Sequence, residues 1–329
     1  MDTAQAGAAC YPLFPRPPSV LAVECHERFF VSDPSRSSES AGVLFGLVAY
    51  STWGFAPAYW KLVSDIAPVE LLAHRVFWSL AIAALLLGVT RSYAGFRAVF
   101  ATPRMLVPVA LAAFLLATNW LVFIYAVTSD QVLSTSLGYY LNPLLSVVLG
   151  LAVLGERLRP LQWVAVLIAA AGITFYVFTL GELPWISVFL AGSFGLYGLI
   201  RKMAPVLPIV GFGVEMAVLT PPCIALVLWL SGSGEASVPV GNLGMDAYIA
   251  ASGLITALPL ICFNAAAKRL RLVTVGILQY IAPSLTLGLA VMYWGEPFDA
   301  VHMWTFGAVW LALAIFTLES IVHSHRQDA

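Results

Sequence analysis

The chain has 329 residues, of which 60% are hydrophobic and 10% are charged. Soluble domains carry about 25% charged residues, so this chain has too few charges to cover the surface of a water-soluble protein of its size. The 16 Lys and Arg residues against 17 Asp and Glu residues leave no net positive charge for binding nucleic acid. The composition argues against a soluble enzyme and predicts a membrane protein.

The first forty residues differ from the rest of the chain. They are rich in proline and serine, and their longest apolar run, Val20 to Val23, is shorter than the ~7–15 residues of a signal-peptide core. We expect residues 1–40 to form a disordered cytoplasmic tail; an upstream start codon is the alternative interpretation.

From Gly42 onward, apolar segments follow one another with short loops between them. A helix needs about 20 apolar residues to cross ~30 Å of hydrocarbon. The segments lack the alternation of a β-barrel wall, so strands are not expected. We predict an all-α membrane protein with ten transmembrane helices, over residues 42–60, 69–89, 106–127, 132–154, 161–180, 184–200, 209–230, 246–266, 273–294 and 302–322.

The positions of the charged residues orient these spans. If the N-terminus is cytoplasmic, every Lys and Arg except Lys61 and Arg75 falls on the cytoplasmic side, as the positive-inside rule requires. The outer loops carry acidic residues instead, such as Asp65, Asp130 and Glu182. We therefore predict a multi-pass membrane protein with both termini in the cytoplasm and a short cytoplasmic tail at residues 324–329.

An internal repeat divides the spans into two sets of five. A shift of 140 residues places Tyr140 on Tyr280, Pro143 on Pro283 and Gly155-Glu156 on Gly295-Glu296. A slightly larger shift places Glu70 on Glu215. Because five is odd, the second copy must enter the membrane from the opposite side, which is the inverted-repeat architecture of many secondary transporters. The predicted units are residues 41–181 and 182–323.

Several motifs between Gly42 and Glu319 resemble the RarD proteins of the EamA branch of the drug/metabolite transporter superfamily. The matching segments are Tyr50-x-x-Trp53-Gly54, Tyr59-Trp60-Lys61, Glu70 to Arg75, Trp78-Ser79, Thr118-Asn119-Trp120, Ser136 to Leu144, Gly195 to Lys202 and Gln279 to Pro283. The resemblance implies ten helices in two inverted EamA repeats, a location in a bacterial inner membrane and a role as a permease. It implies no particular substrate, and the tail at residues 1–40 departs from the family pattern.

Charged residues inside the spans are the first candidates for function, because a charge there costs ~2.5–3.5 kcal/mol. Glu70, His74 and Arg75 lie near the outer end of the second span, where they could recognise an anion or carry protons. The alternative is a clamp between Glu70 and Arg75, or an arginine that extends to the interface. Glu215 occupies the matching position in the second repeat, and structural pairing with the region of Arg201 and Lys202 is its alternative role.

Two prolines at mid-depth are the next candidates. Pro143 and Pro283 are expected to kink their helices and free backbone carbonyls near the membrane midplane. Packing alone is the alternative explanation for these kinks. The polar and aromatic candidates around the kinks are Tyr139, Tyr140, Asn142, Gln279 and Tyr280.

Asn119 and Trp120 in the third span add polar and aromatic surface, although interfacial belts or core packing also explain single aromatic residues. Motifs for ATP hydrolysis, metalloproteases and serine hydrolases are absent from the sequence, and no catalytic residue, metal site or cofactor is predicted. A zinc or disulfide role for the four well-separated cysteines is not expected.

These features favour a secondary transporter that moves a small organic metabolite or drug-like solute by alternating access. Its expected partners are the solute, membrane lipid and protons, with proton-coupled export as one mode. Two alternatives stay open at this point: a membrane scaffold or sensor that transports nothing, and an intramembrane enzyme that uses Glu70 and His74 on a lipid-linked substrate.

Overall fold

The computed structural model describes residues 36–60, 62, 66–128, 132–181, 185–238, 243–293 and 300–326. Within these ranges it contains helices and no strand. The helices are α1 (Arg36–Trp60), α2 (Pro68–Val89), α3 (Tyr93–Ala101), α4 (Pro103–Thr128), α5 (Val132–Ala152), α6 (Pro160–Leu180), α7 (Trp185–Met203), α8 (Pro208–Ser233), α9 (Leu243–Arg269), α10 (Leu272–Leu278), α11 (Ile281–Met292) and α12 (Ala300–Arg326).

Eight apolar helical segments of this part of the chain are long enough to cross a bilayer, and Tyr139–Ala152 is a shorter apolar segment. Large apolar side chains cover the outside, as at Phe178, which is 80% exposed, whereas polar groups such as Glu215 are completely buried. This polarity is the reverse of a soluble protein's and suits a lipid surface. The chain is therefore an all-α membrane protein.

Prolines begin four of the long helices: Pro68, Pro103, Pro160 and Pro208 stand at the start of α2, α4, α6 and α8. Proline is favoured in the first turn because its missing N–H has no partner there in any helix. At the other end of α6, Gly181 adopts a left-handed conformation with φ of 85°. A residue with a side chain would be strained at that φ, which explains a glycine at the end of the helix.

The predicted span at residues 273–294 is broken. Gln279 and Tyr280 separate α10 from α11. Pro283 explains the break, because its ring clashes with the carbonyl four residues earlier, at Gln279. Pro143, where the matching kink is expected, does not break its helix. The helix α5 runs through Pro143 without interruption.

Two other predicted connections contain helix. The span prediction leaves residues 90–105 between two spans, and the structure places α3 there. The helix α1 begins at Arg36, so the end of the predicted disordered tail is helical. Residues 1–35 lie outside the described part of the chain, as do 327–329.

Two large clusters of buried side chains hold the helices together. The first joins α1, α2, α4, α7, α8 and α9 around residues that include Tyr50, Leu116 and Phe263. The second joins α5, α6, α10 and α12 around residues that include Tyr140 and Phe306. The candidate residues predicted from the sequence are divided between these two clusters. Their surroundings therefore differ from one candidate to the next.

Candidate functional site

Arg75 lies in the second turn of α2, roughly 10 Å from the start of the helix at 1.5 Å per residue. Its Cζ lies 4.4 Å from the centre of the Trp60 ring and 5.0 Å from that of Trp120. Its Nε donates a hydrogen bond of 3.0 Å to Thr256 Oγ1. We call these four residues the Arg75 cage. Each cation–π contact contributes about 0.5–2 kcal/mol, which offsets part of the cost of an arginine inside a membrane.

The guanidinium of Arg75 keeps hydrogen-bonding capacity that the chain does not use. Within the described residues, neither Nη atom has a hydrogen-bond acceptor and no carboxylate lies at ion-pair distance. The hydroxyls of Tyr59 and Tyr139 interact electrostatically with Arg75, and Tyr139 is 44% exposed. The Nη edge can therefore accept a partner from outside the chain.

A group of aromatic rings, which we call the aromatic floor, packs in the same buried cluster as Trp120 of the cage. Trp53 lies 5.6 Å from Phe194 and 5.9 Å from Phe263 between ring centres, and Tyr197 stacks on Phe263 at 5.9 Å. Tyr50 completes this floor at 6.3 Å from Phe263. Trp53 precedes Trp60 by about two helical turns, so the floor lies between the cage and the end of the molecule where α1 begins.

Glu70 occupies a different environment from Arg75. Its Oε2 accepts hydrogen bonds from the backbone N–H of Ser237 at 2.6 Å and from the Ser237 hydroxyl at 2.5 Å. The Ser237 Oγ also accepts the N–H of Ala67 at 2.7 Å. His74 lies near Glu70 and interacts with it electrostatically. Glu70 thus anchors the segment after α8 to the start of α2, and it forms no ion pair with Arg75.

Asn119 and Trp120 are adjacent in sequence but act differently. Trp120 contacts Arg75. Asn119 is buried, and its Nδ2 donates to Leu190 O at 3.0 Å and to Ser193 Oγ at 2.9 Å. Asn119 therefore fastens α4 to α7 instead of facing a ligand.

The candidates around Pro143 and Pro283 also lie in two different environments. Tyr139 interacts electrostatically with Arg75, whereas Tyr140 and Tyr280 are buried in the second cluster, where Tyr140 packs 5.1 Å from Phe306. Asn142 is also buried, and Gln279 Nε2 donates to Ser146 Oγ at 3.2 Å. Consecutive residues of a helix point about 100° apart, so Tyr139 and Tyr140 lie on different faces of α5.

Glu215 pairs with Arg201, as the alternative interpretation of the sequence allowed. Arg201 Nε lies 3.0 Å from Glu215 Oε1, and both side chains are completely buried. Glu215 Oε2 accepts the Tyr197 hydroxyl at 3.4 Å, and that hydroxyl accepts Asn264 Nδ2 at 2.9 Å. This chain of polar groups extends from the ion pair to Tyr197 of the aromatic floor.

Glu156, which in the sequence is only a marker of the repeat, makes several polar contacts in the structure. Its two oxygens accept the backbone N–H groups of Leu272 at 2.6 Å and Val273 at 2.9 Å, at the start of α10. Lys202 Nζ lies 3.9 Å from Glu156 Oε1 and donates to Ala267 O at 3.1 Å. We call Glu156, Lys202, Leu272 and Val273 the Glu156 clamp. It ties the loop after α5 to α7, α9 and α10.

The clamp belongs to an end of the molecule that is rich in positive charge, which we call the basic end. Lys268 Nζ donates to Lys202 O at 3.1 Å, and Arg271 donates to the carbonyl of Arg157. Its described basic residues include Arg157, Arg159, Arg201, Lys202, Lys268, Arg269 and Arg271. Among the described residues, no cluster of three His, Cys, Asp or Glu side chains could hold a metal ion.

Comparison with known proteins decides the family. Residues 40–178 match the EamA-like transporter family. The chain is 40% identical to Protein RarD of Escherichia coli over 285 residues, which cover 87% of this chain and 96% of the relative. It belongs to the EamA-like transporter family, as a RarD-type permease.

Other relatives of this RarD-type permease agree. It is 38% identical to the Uncharacterized transporter YojE of Bacillus subtilis over 85% of this chain and 94% of the relative. It is 33% identical to the Chloramphenicol-sensitive protein RarD of Pseudomonas aeruginosa over 83% of this chain and 92% of the relative. A protein of known crystal structure shares the fold, with a TM-score of 0.65, 22% identity and coverage of 85% of this chain and 97% of that chain. The chain is thus a multi-pass inner-membrane transporter.

Proposed function

We propose that this RarD-type permease is a secondary carrier that moves a small organic solute by alternating access. Ten spanning segments form two inverted repeats of five, at residues 41–181 and 182–323, flanked by tails at 1–40 and 324–329. The broken pair α10 and α11 serves as the ninth span, and α5 serves as the fourth. The sequence matches between these two spans support the pairing of the repeats.

The basic end faces the cytoplasm in this proposal, and both termini lie there. The positive-inside rule supports this orientation, because Arg157, Arg159, Arg201, Lys202, Lys268, Arg269 and Arg271 lie at one end of the bundle, away from Arg75. Membrane potential and anionic lipid would then act on that end.

One observation carries the proposal: tightly packed aromatic residues of the floor lie between the Arg75 cage and the basic end, where the start of α1 meets Arg269 at Gly42. The floor residues Tyr50, Tyr197 and Phe263 are each at most 2% exposed, and the Glu156 clamp lies beyond them. We assign this packing to the closed side of an outward-facing carrier, in which release of the clamp would produce the opposite state.

Glu215 is the carboxylate that we assign to proton coupling. It is completely buried, its charge is balanced by Arg201, and Tyr197 connects it to the floor. Protonation would remove the charge that holds Arg201 in place, since a neutral carboxyl attracts a guanidinium far less than a carboxylate does. In this scheme Glu215 gives its proton, relayed by the Tyr197 hydroxyl, to water in the cavity that opens as the solute leaves.

Counterflow in proteoliposomes tests the carrier. Vesicles are loaded with unlabelled solute, and uptake of the labelled solute is measured for a panel of anionic, cationic, zwitterionic and neutral compounds. A carrier gives saturable uptake for at least one class, and Arg75→Gln abolishes it. Arg97→Gln, which changes an exposed arginine of α3, is the matched control. Uptake no greater than in protein-free vesicles for every class would contradict the proposal.

A further inference from the structure

The geometry points to a substrate class: we propose that the Arg75 cage binds a small organic carboxylate that carries one negative charge and a flat apolar body. This inference rests on the proposed carrier function and adds the chemistry of its cargo.

The charge of the ligand follows from Arg75. A guanidinium stays protonated in proteins, so the cage holds a permanent positive charge in an apolar part of the bundle. The two indoles contact it through their π faces and supply no counter-charge. No carboxylate of the described residues is at ion-pair distance from it, and Glu70 is engaged by Ser237. A bound anion would supply the missing charge.

The shape of the anionic group follows from the hydrogen bond to Thr256. That bond occupies Nε, which leaves the two Nη groups as parallel donors. Two parallel N–H groups match the two oxygens of a carboxylate, and this bidentate geometry is the one that distinguishes arginine from lysine. A planar carboxylate therefore fits the free edge of the guanidinium.

The rest of the ligand follows from the walls. Trp60 and Trp120 flank the guanidinium, and Trp53 of the floor packs against the same buried cluster as Trp120. Aromatic walls favour a flat apolar body over a hydrated inorganic ion. The ammonium group of an amino acid would lie close to the positive charge of Arg75, and no carboxylate among the described residues of the cage would pair with it. An amino acid therefore fits less well than a simple organic acid.

The cage is a feature of one repeat alone. The shift that places Glu70 on Glu215 places Arg75 on Thr220, so the second repeat has no arginine at the matching position. The carboxylate of the second repeat, Glu215, pairs with Arg201. The molecule therefore offers one charged binding group for each solute, which predicts a monoanion.

Four probes that share a benzyl group test this inference: phenylacetate, phenylacetamide, phenethylamine and phenylalanine. Binding to the purified full-length protein in detergent is measured by titration calorimetry. We expect phenylacetate to bind at least tenfold more tightly than each of the other three. We expect Arg75→Gln to weaken phenylacetate binding by about 10- to 100-fold, or about 1.4–2.8 kcal/mol, and to leave phenylacetamide binding unchanged.

Arg75→Lys retains the charge and loses the fork of donors, so it should weaken phenylacetate binding less than Arg75→Gln. Arg97→Gln should leave it unchanged. Equal binding of phenylacetamide or phenethylamine, absence of phenylacetate binding, or equally strong competition by sulfate would overturn the carboxylate assignment. Counterflow of a cationic or neutral solute alone would overturn it as well, while the carrier function would stand.

Discussion

Arg201 Nε lies 3.0 Å from Glu215 Oε1, with both side chains removed from solvent. The pair joins the end of α7 to the second turn of α8, and Arg201 Nη2 also donates to Pro208 O at 3.3 Å. The guanidinium fills the space above Gly211, where a Cβ would overlap it. The permease thus neutralises Arg201 internally, whereas Arg75 is left without a carboxylate among the described residues.

Breaking this pair should strongly destabilise the protein. Arg201→Met leaves the Glu215 carboxylate buried without its partner, and removal of one partner of a buried pair costs about 3–5 kcal/mol. The double variant Arg201→Met, Glu215→Met should lose less than Arg201→Met alone. Thermal unfolding in detergent measures both. Arg97→Met is the control, because it removes an exposed arginine of α3 and should change stability by no more than about 0.5 kcal/mol. A double variant less stable than either single variant would contradict this prediction.

The Glu156 clamp should control access to the basic end. Glu156→Gln removes the charge that accepts the N–H groups of Leu272 and Val273, and hydrogen bonds to a charged group are roughly twice as strong as neutral ones. We expect a cysteine at Leu272, which is 1% exposed, to react several-fold faster with a maleimide in the Glu156→Gln background. Glu235→Gln changes an exposed carboxylate and should have no effect. Equal labelling rates in all backgrounds would show that Glu156 does not restrict access.

The helices and the buried charges were predictable from the sequence for different reasons. Long apolar segments specify spanning helices because lipid leaves the backbone no partner except itself. Arg75 was identified because a charge in such a segment is costly. Trp60 was not assigned to a site, since a tryptophan at a helix end is typical of the membrane interface. Thr256 carries no charge that would mark it within α9.

The contacts of Glu156 could not be predicted in this way. They join residues 116 positions apart in the chain, and a carboxylate in a loop between spans is ordinarily solvated. The sequence makes Glu70 a candidate for binding or coupling, and its contact with Ser237, 167 positions away, could not be predicted either. Hydropathy and spacing along one helix contain no information on such tertiary partners.

Close packing of α2 on α9 should depend on Gly253. A Cβ at this position would lie 2.5 Å from Trp78 Cβ and 2.6 Å from the Trp78 backbone carbon, which cannot move away without shifting α2. Gly253→Ala should therefore destabilise the protein by about 1–3 kcal/mol. Gly192→Ala is the matched control, since a Cβ there has nothing within 4 Å, and it should be neutral or stabilising by up to about 1 kcal/mol. Equal melting temperatures for the two variants would contradict this packing.

Glu70 should act as an anchor and not as a binding residue. Ser237→Ala removes the hydroxyl that bridges Glu70 and Ala67, and we expect a loss of about 1 kcal/mol of stability. Glu70→Gln should lower stability by a similar or larger amount, while the affinity for phenylacetate changes less than in Arg75→Gln. Thermal unfolding and calorimetry on the same preparations separate the two effects. A Glu70→Gln variant with wild-type stability and no phenylacetate binding would return Glu70 to the binding site.

Distance measurements between spin labels at both ends of the bundle test alternating access most directly. One pair, at Arg157 and Pro205, reports the basic end, and a second pair, at Leu62 and Ala236, reports the other end; all four positions are exposed. In lipid, we expect Glu156→Gln to lengthen the first distance and to shorten the second relative to the wild type. Distances that stay the same at both ends, in a variant that still shows counterflow, would contradict a carrier that opens one end as it closes the other.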